Sequence, residues 1–181
     1  MIASLTSLNH NTINRYLIRI RERIYTICER QSPFDRPPAA LDDDPPNTAP
    51  IFGLKEDGSK VRTDVIPVQS AARLRCCLRA NGQENALCLP ERWAGYDGIV
   101  DMDSKRLYGL AATGDAGADT LPHGRVIEAF LGLVQKRLLN RHLTVLDNFR
   151  LHLKECEFRF NHREENIYQI LLKLFRERPL A

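Results

Sequence analysis

Arginine side chains on one predicted helix are the residues whose type and spacing most directly suggest a chemistry, the binding of phosphate groups. Apolar residues recur at helical spacing from Ile13 to Cys28, and Asn9, Asn11 or Thr12 can cap the start of this helix. Its polar face carries an excess of arginine over glutamate, namely Arg15, Arg19, Arg21, Arg23 and Arg30 against Glu22 and Glu29. Such a face either contacts DNA phosphates or a protein partner, or is the solvated side of a packed helix.

The acidic residues, histidines and cysteines show no metal-ligand spacing. Asp42, Asp43 and Asp44 are consecutive, so their side chains point in different directions, and a solvated linker is favoured over a cation site. The histidines His123, His152 and His162 are not spaced as ligands either. The five cysteines predict buried reduced thiols because they contain no Cys-x-x-Cys pair: Cys28, Cys76, Cys77, Cys88 and Cys156.

Length and composition predict one substantial domain with a short appendage. The chain has 181 residues and a formal net charge of +3, which is compatible with nucleic-acid binding without demonstrating it. It contains no apolar run long enough to span a bilayer, and its first residues lack a basic leader followed by an apolar block. We therefore expect a soluble, intracellular protein.

The first half of the chain predicts a helix, a linker and a hairpin. Residues 31–50 are rich in proline and aspartate, which favours a loop or linker. An apolar run at residues 51–54, an Asp-Gly turn and period-two alternation from Val61 to Val65 predict a β-hairpin. A short helix capped by Ser70 follows, with Ala71, Leu74, Cys77 and Leu78 on its inner face, and residues 86–89 predict a buried strand.

The second half predicts one weak strand and then helices. The strand is expected at residues 106–110, and a helix from His123 to Leu139 is expected to turn Val126, Phe130, Leu133, Val134 and Leu138 inward. The next helix has one apolar face, made of Phe149, Leu153, Cys156 and Phe160, beside a charged outer side with Lys154, Arg159 and Arg163. The last helix is expected to bury Tyr168, Leu171, Leu172 and Phe175. This order predicts an α/β fold in which helices flank a mixed sheet.

Several separated strings resemble a family of small bacterial insertion-sequence transposases, those with an ISXO-type DDE domain. The most specific is HLKECEFRFNHR at residues 152–163. HGRVIEAF at residues 123–130 is similar to the family's H-x-N-x-I-E-x-F, and ERWAGYDGIVD at residues 91–101 stands where the family has S-D-G-W-x-G-Y-D-G-L-V. The helix NHNTINRYLIRIRERIYTICE resembles the segment that precedes the catalytic domain.

The resemblance implies an RNase H-like fold with an incomplete first strand. Residues 1–30 are then an N-terminal basic amphipathic helix, 31–50 a Pro/Asp-rich linker, and 51–181 the DDE transposase-type domain. In the family, three carboxylates hold two Mg²⁺ or Mn²⁺ ions for strand cleavage and transfer. Glu91 stands at the second aspartate position and Glu128 at the glutamate position, so these two are the implied catalytic and metal-ligating residues. The first aspartate is not found, and Asp42, Asp43 or Asp44 is a candidate replacement.

The resemblance further implies a truncated, degenerate transposase with impaired catalysis, whose partner is DNA at transposon ends and which acts in the cytoplasm at the nucleoid. Homo-oligomerisation is part of the same expectation. Basic residues on the predicted helices are the expected DNA contacts: Arg15, Arg19, Lys136, Arg137, Lys154, Arg159 and Arg163. Two other interpretations stay open, a non-catalytic DNA-binding or interaction module derived from a transposase, and a decayed reading frame whose product folds poorly.

Overall fold

The structure of the protein, a computed structural model, describes residues 9–34, 49–67, 70–71, 74–76, 95–109, 125–138, 146–177 and 179. The long elements follow the order α1 (His10–Arg30), β1 (Ile51–Asp57), β2 (Lys60–Ile66), β3 (Gly98–Asp101), β4 (Arg106–Gly109), α2 (Arg125–Leu138), α3 (Leu146–Asn161) and α4 (Ile167–Glu177). Residues 70–71 and 74–76 are also helical, at the place where a short helix was expected. The fold is mixed α/β.

The four described strands form one antiparallel sheet in the order β2-β1-β3-β4. The predicted hairpin is confirmed: β1 and β2 pair along their whole lengths, and Gly58 in the connecting turn has a φ of 61°. The weak strand expected at 106–110 is confirmed as β4, whereas β3 had not been predicted as a strand. The strand expected at 86–89 lies outside the described residues, so parallel pairing, which a mixed sheet requires, is not seen among the strands that are described.

Successive side chains along the strands lie on opposite faces of the sheet and so belong to two different hydrophobic cores. Phe52 and Leu54 of β1 belong to a large core with α2 and α3, while Ile51 packs on the opposite face. On that opposite face Ala71 and Leu74 are buried, as their predicted inward placement requires. The inner residues Cys77 and Leu78 of that short helix lie outside the described residues.

A glycine in β1 makes room for a buried tyrosine. A Cβ atom at Gly53 would overlap the ring of Tyr96. The Tyr96 hydroxyl donates a hydrogen bond to Asp64 over 2.5 Å, and its ring packs on Phe34 with centroids 4.8 Å apart. Tyr96 therefore joins the segment before β3 to β2 and to the residues that follow α1.

The helix α3 is buried on two sides. Its predicted apolar face is confirmed, because Phe149, Leu153, Cys156 and Phe160 are all buried in the core shared with α2 and the sheet. Phe158 faces another way and packs with α1 and α4 around Ile24. A helix with two buried sides has little surface left for its charged residues, so several of them lie inside the protein.

The outer helices differ from expectation in which apolar residues they bury. Asn9 is the N-cap of α1 and accepts from the Asn11 backbone N–H, as predicted, but Tyr16 at the start of the stripe is half exposed. In α2 the expected inner residues are buried or partly buried, and Ile127 joins them. In α4 the expectation is wrong for two residues, since Tyr168 is 70% exposed and Leu172 is 38% exposed. The side of α4 that packs on α1 and α3 consists of Ile167, Ile170, Leu171 and Leu174.

Polar side chains of α3 complete the hydrogen bonding of β2, which is an edge strand among the described strands. Asn161 accepts from the Val61 N–H over 2.8 Å and donates to the Val61 carbonyl over 2.9 Å. Glu157 Oε2 accepts from the Thr63 N–H over 3.0 Å, and Lys154 Nζ donates to the Thr63 carbonyl over 2.6 Å. Residues two apart on a strand are about 6.8 Å apart and residues four apart on a helix about 6 Å, so the two repeats match.

Lys154 and Glu157 form a buried ion pair inside this edge contact, which corrects the expectation that Lys154 lies on a charged outer side. Lys154 is 2% exposed, and its ammonium lies 3.0 Å from both Glu157 Oε2 and Glu29 Oε1. Burial alone would lower the pKa of Lys154, but the attraction of Glu157 and Glu29 outweighs it and raises the pKa above its ordinary value of 10.5. The lysine is therefore a charged structural group that is closed off from DNA.

The cysteines divide between core and surface. Cys28 and Cys156 are buried thiols outside any disulfide, as predicted, and burial raises the pKa of Cys28 to about 12. Cys76 is exposed, so the prediction is wrong for that residue. Cys77 and Cys88 lie outside the described residues.

Replacing Lys154 by methionine should destabilise the protein by up to about 3–5 kcal/mol. Glu157 Oε2 would stay buried without its cation, and the other cation near Glu157, Arg62, lies 3.7 Å from Oε1. Urea unfolding monitored by circular dichroism measures this loss. Adding Glu157→Gln to Lys154→Met should recover part of the stability, since it removes the unpaired charge. The control is Lys173→Met, at an exposed lysine of α4; equal effects of the two lysine variants would contradict the structural role of Lys154.

Replacing Gly53 by alanine should lower the free energy of unfolding by about 1–3 kcal/mol, since the new methyl group and the Tyr96 ring would compete for one volume. Gly132 in α2 provides a matched control, because nothing lies within 4 Å of a Cβ built there. Gly132→Ala should stabilise the helix by up to about 1 kcal/mol. Thermal and urea unfolding of the two variants should therefore shift in opposite directions.

Candidate nucleic-acid interface

Three arginines from three helices converge on the carboxylate of Glu155. Arg21 Nε lies 2.8 Å from Glu155 Oε2, and Arg159 Nε lies 2.9 Å from Oε1. Arg137 Nη1 approaches Oε1 from α2 at 3.7 Å, and His152 Nδ1 lies 3.8 Å from Oε2. We call Arg21, Arg137 and Arg159 with Glu155 and His152 the arginine cluster.

The elements already described determine where each member of the cluster lies. Arg159 follows Glu155 by one helical turn on α3, which brings the two side chains together on one face. Arg21 reaches them because Ile24 and Cys28 hold α1 against Phe158. Arg137 belongs to the last turn of α2, whose apolar side packs on the same core as α3.

The cluster carries more positive charge than its carboxylate can neutralise. Three guanidinium groups surround one carboxylate, which leaves a local charge of about +2 even with a neutral histidine. Glu155 is 12% exposed and Arg21 20% exposed, whereas Arg137 and Arg159 are 43% and 42% exposed. The two most exposed guanidiniums can therefore meet a second anion from solvent, with the planar donor geometry that suits phosphate.

Hydrogen bonding keeps Glu155 charged. Burial raises the pKa of Glu155, but hydrogen bonds and Coulombic attraction from Arg21 and Arg159 outweigh burial and hold it below its ordinary value of 4.5. Glu155 is thus a carboxylate throughout the neutral pH range, and it keeps its negative charge in the cluster there.

The structure gathers only part of the predicted DNA-contacting set. Arg137 and Arg159 are in the arginine cluster, and Lys136 is exposed beside Arg137. Arg15 is also exposed, but it and Arg19 lie roughly 200–240° around α1 from Arg21 and so face away from the cluster.

Arg163 has a different environment from the arginine cluster. Its Nη1 donates to the carbonyls of Ser59 and Phe160, and its guanidinium lies 4.4 Å from the centroid of the Phe160 ring. These contacts fasten the end of α3 to the turn of the hairpin. Although Arg163 is exposed, its described contacts are made within the protein.

The predicted metal ligands are not brought together by the described residues. Glu128 is exposed in the first turn of α2, and its position nine residues before Arg137 puts it on the opposite side of that helix. Glu91 and the candidates Asp42, Asp43 and Asp44 lie outside the described residues. Within the described parts of the chain, no group of three or more His, Cys, Asp or Glu residues could hold a metal ion.

One buried carboxylate that the sequence did not single out, Asp101, serves the β3–β4 turn. Its Oδ1 accepts from Arg75 Nε over 3.1 Å and from the Asp103 N–H over 3.1 Å, and its Oδ2 accepts from the Ser104 hydroxyl. Arg75 also donates to the Ala49 carbonyl. Both carboxylate oxygens are engaged in these contacts, which is the pattern of a structural group.

Comparison of the chain with protein-family models, with curated proteins and with solved structures gives no match. In the parts of the chain that the structure describes, no helix is both long enough and apolar enough to cross a membrane.

The sequence indicated Arg137 and Arg159 but missed Arg21, Glu155 and His152 as members of one site. The available signal was local: Glu155 and Arg159 have the i, i+4 spacing of an ion pair. No spacing in the sequence relates Arg21 to Glu155, which are separated by most of the chain, so their contact depends on the packing of α1 against α3.

The stability that Glu155 contributes should be lost at acid pH. Its pKa is lowered in the folded protein, so its contribution is present above about pH 4.5 and falls as the pH drops through the folded-state value. The difference in unfolding free energy between the parent and Glu155→Gln should be constant near neutrality and shrink below pH 4.5. Urea unfolding from about pH 7 to about pH 3 measures it; a difference that grows on acidification would contradict the ion pairing.

Proposed function

We propose that this protein is a DNA-binding member of the ISXO-type insertion-sequence transposase family, with an RNase H-like domain and impaired strand-cleavage chemistry. The resemblance of residues 91–101, 123–130 and 152–163 supports the family assignment. The arginine cluster supports the DNA contact. The proposed partner of the cluster is the phosphate backbone of DNA at transposon ends. The proposed location of the protein is the bacterial cytoplasm, at the nucleoid.

The single observation that carries the proposal is the excess of guanidinium groups around Glu155. One cation is enough to neutralise one carboxylate. Glu155 has three around it, Arg21, Arg137 and Arg159, so positive charge is left over for another anion. DNA offers a regular series of phosphates, and proteins that neutralise them gain affinity by releasing bound counterions. Lys136 beside Arg137 extends the positive surface along α2. Backbone contacts of this kind give binding with little sequence preference.

Catalysis is the part of the family's chemistry that we propose to be impaired. Mg²⁺ or Mn²⁺ would be held by Glu91 and Glu128 together with a third carboxylate, and the sequence offers no clear first aspartate. Glutamate at position 91 is longer than aspartate by one methylene, which displaces a metal ligand further than a two-metal site tolerates. A set that is incomplete in this way loses most of its activity.

Duplex DNA should bind with a strong salt dependence that the exposed arginines determine. In fluorescence anisotropy with a labelled duplex, Arg137→Gln and Arg159→Gln should each reduce the slope of log K against log salt by about 1, and the double variant by about 2. Affinity should fall in parallel for unrelated sequences, because phosphate contacts carry no base information.

A matched control for charge is Arg106→Gln, which removes an exposed arginine from β4, the described edge strand opposite β2. It should leave both the affinity and the slope near the parent values. A third variant, Arg15→Gln, tests whether the side of α1 that faces away from the arginine cluster also contacts DNA. If Arg106→Gln and Arg137→Gln lower the DNA affinity equally, binding depends only on the net charge of the protein. That result would contradict a DNA interface at the arginine cluster.

Strand cleavage should be absent or very weak with Mg²⁺ or Mn²⁺, in an assay with labelled duplex carrying candidate transposon ends. Glu128→Gln should then leave both cleavage and DNA binding unchanged, since Glu128 lies on the other side of α2 from the cluster. Metal-dependent cleavage by the parent that disappears in Glu128→Gln would show an active transposase and would overturn the impaired state.

A further inference from the structure

Glu155 places its two carboxylate oxygens between the guanidinium groups of Arg21 and Arg159. Each of its oxygens accepts a hydrogen bond from one guanidinium Nε–H: Oε2 accepts from Arg21 over 2.8 Å, and Oε1 accepts from Arg159 over 2.9 Å. These are the lengths of charge-assisted hydrogen bonds to a carboxylate or a phosphate alike. Arg137, at 3.7 Å from Oε1, is within ion-pair range but beyond hydrogen-bonding distance.

We propose that Glu155 is an internal anion that competes with a DNA phosphate for the guanidinium groups of the arginine cluster. This inference rests on the proposed function, since it concerns how the same site is regulated. In the free protein the carboxylate holds Arg21 and Arg159 in place. On binding, a backbone phosphate takes Arg137 and Arg159, and the carboxylate retains Arg21. Glu155 thereby lowers the affinity for DNA and restricts binding to polyanions that deliver several phosphates at once.

The other ion pair of α3 shows what a purely structural carboxylate looks like in this protein. Glu157 is fully buried, and its Oε2 accepts from Lys154 and from both the N–H and the hydroxyl of Thr63. Its cation Lys154 is almost as inaccessible, so no anion from solvent can displace Glu157 from it. Two of the three arginines around Glu155, Arg137 and Arg159, are instead about two-fifths exposed, and the three outnumber the carboxylate by three to one.

Charge decides the direction of the expected effect. The carboxylate of Glu155 repels a phosphate that approaches the cluster. For the phosphate to bind, Glu155 must also give up or share its ion pairs with the arginines. Replacing Glu155 by glutamine keeps the size of the side chain and one acceptor oxygen, while it removes the negative charge. One of the two Nε–H groups then loses its acceptor, because the amide nitrogen of glutamine donates, and the full positive charge of the guanidiniums becomes available to DNA.

The test measures duplex DNA binding by the full chain and by Glu155→Gln, using anisotropy over a range of salt. Glu155→Gln should bind about 10-fold more tightly, with the slope of log K against log salt steeper by about 1. Glu177→Gln, which removes one exposed carboxylate from the end of α4, is the control for net charge. It should change affinity by less than about twofold. Circular dichroism establishes that each variant is folded.

A second readout uses the arginine side chains themselves. In the parent, the Nε–H NMR signals of Arg21 and Arg159 should be shifted downfield by the carboxylate. Titration with duplex DNA should move the Arg159 signal, whereas inorganic phosphate at the same phosphate concentration should move it little, because one phosphate alone does not displace Glu155. In Glu155→Gln, inorganic phosphate should move it readily.

The outcomes separate the two proposals. If the parent binds DNA and Arg137→Gln weakens it, but Glu155→Gln binds equally or less tightly, then Glu155 only positions the arginines and the inference is overturned while the DNA-binding function stands. Binding by Glu155→Gln that is absent in the parent supports the inference in its strongest form. Absence of binding by both folded proteins overturns the inference and the proposed function together.

Discussion

The outer edge of β2 presents backbone N–H and carbonyl groups that must be satisfied once α3 covers them, and side chains of α3 satisfy them. Val61 is bonded twice to Asn161, and Thr63 is bonded to Glu157 and Lys154. An uncovered edge invites pairing with another chain, and a buried edge without partners costs free energy at every group. The matching repeats of strand and helix fix both the distance and the register of α3, and through it the places of α1, α2 and α4.

The packing of α3 on β2 also determines which charged side chains of α3 are buried and which are accessible to solvent. Lys154 and Glu157 point into the edge contact and neutralise each other there, with Glu29 of α1 as a further partner. Glu155, between them in sequence, points instead to the junction with Arg21 and Arg137. The same helix thus carries an ion pair that is closed to solvent and a carboxylate whose cations are open to it. A surface of excess guanidinium is a consequence of packing three helices around one acidic residue.

The string HLKECEFRFNHR, on which the family resemblance depends most, consists largely of residues with fold contacts. Leu153, Cys156 and Phe160 fill the core, Phe158 holds α1 and α4, and Asn161 completes the edge of β2. The string therefore consists mainly of residues that attach α3 to the hairpin, to the core and to the neighbouring helices. Two members of the arginine cluster, Arg21 and Arg137, come from other helices, and both contact the string at Glu155, which Arg159 also contacts.

By itself the sequence determined the hairpin, the long helices and the apolar face of α3, because the signals for them are local. They are the Asp-Gly turn with the alternation from Val61 to Val65, and the helical spacing of Phe149, Leu153, Cys156 and Phe160. It could not determine which polar side chains of α3 lie inside, since Lys154 has the periodicity of a surface residue until β2 supplies acceptors for it. In α4, both Leu171 and Leu172 are suitable for burial, and only contact with α1 and α3 selected Leu171. The arginine cluster was likewise decided by tertiary structure, because Arg21 meets Glu155 only when α1 packs on α3.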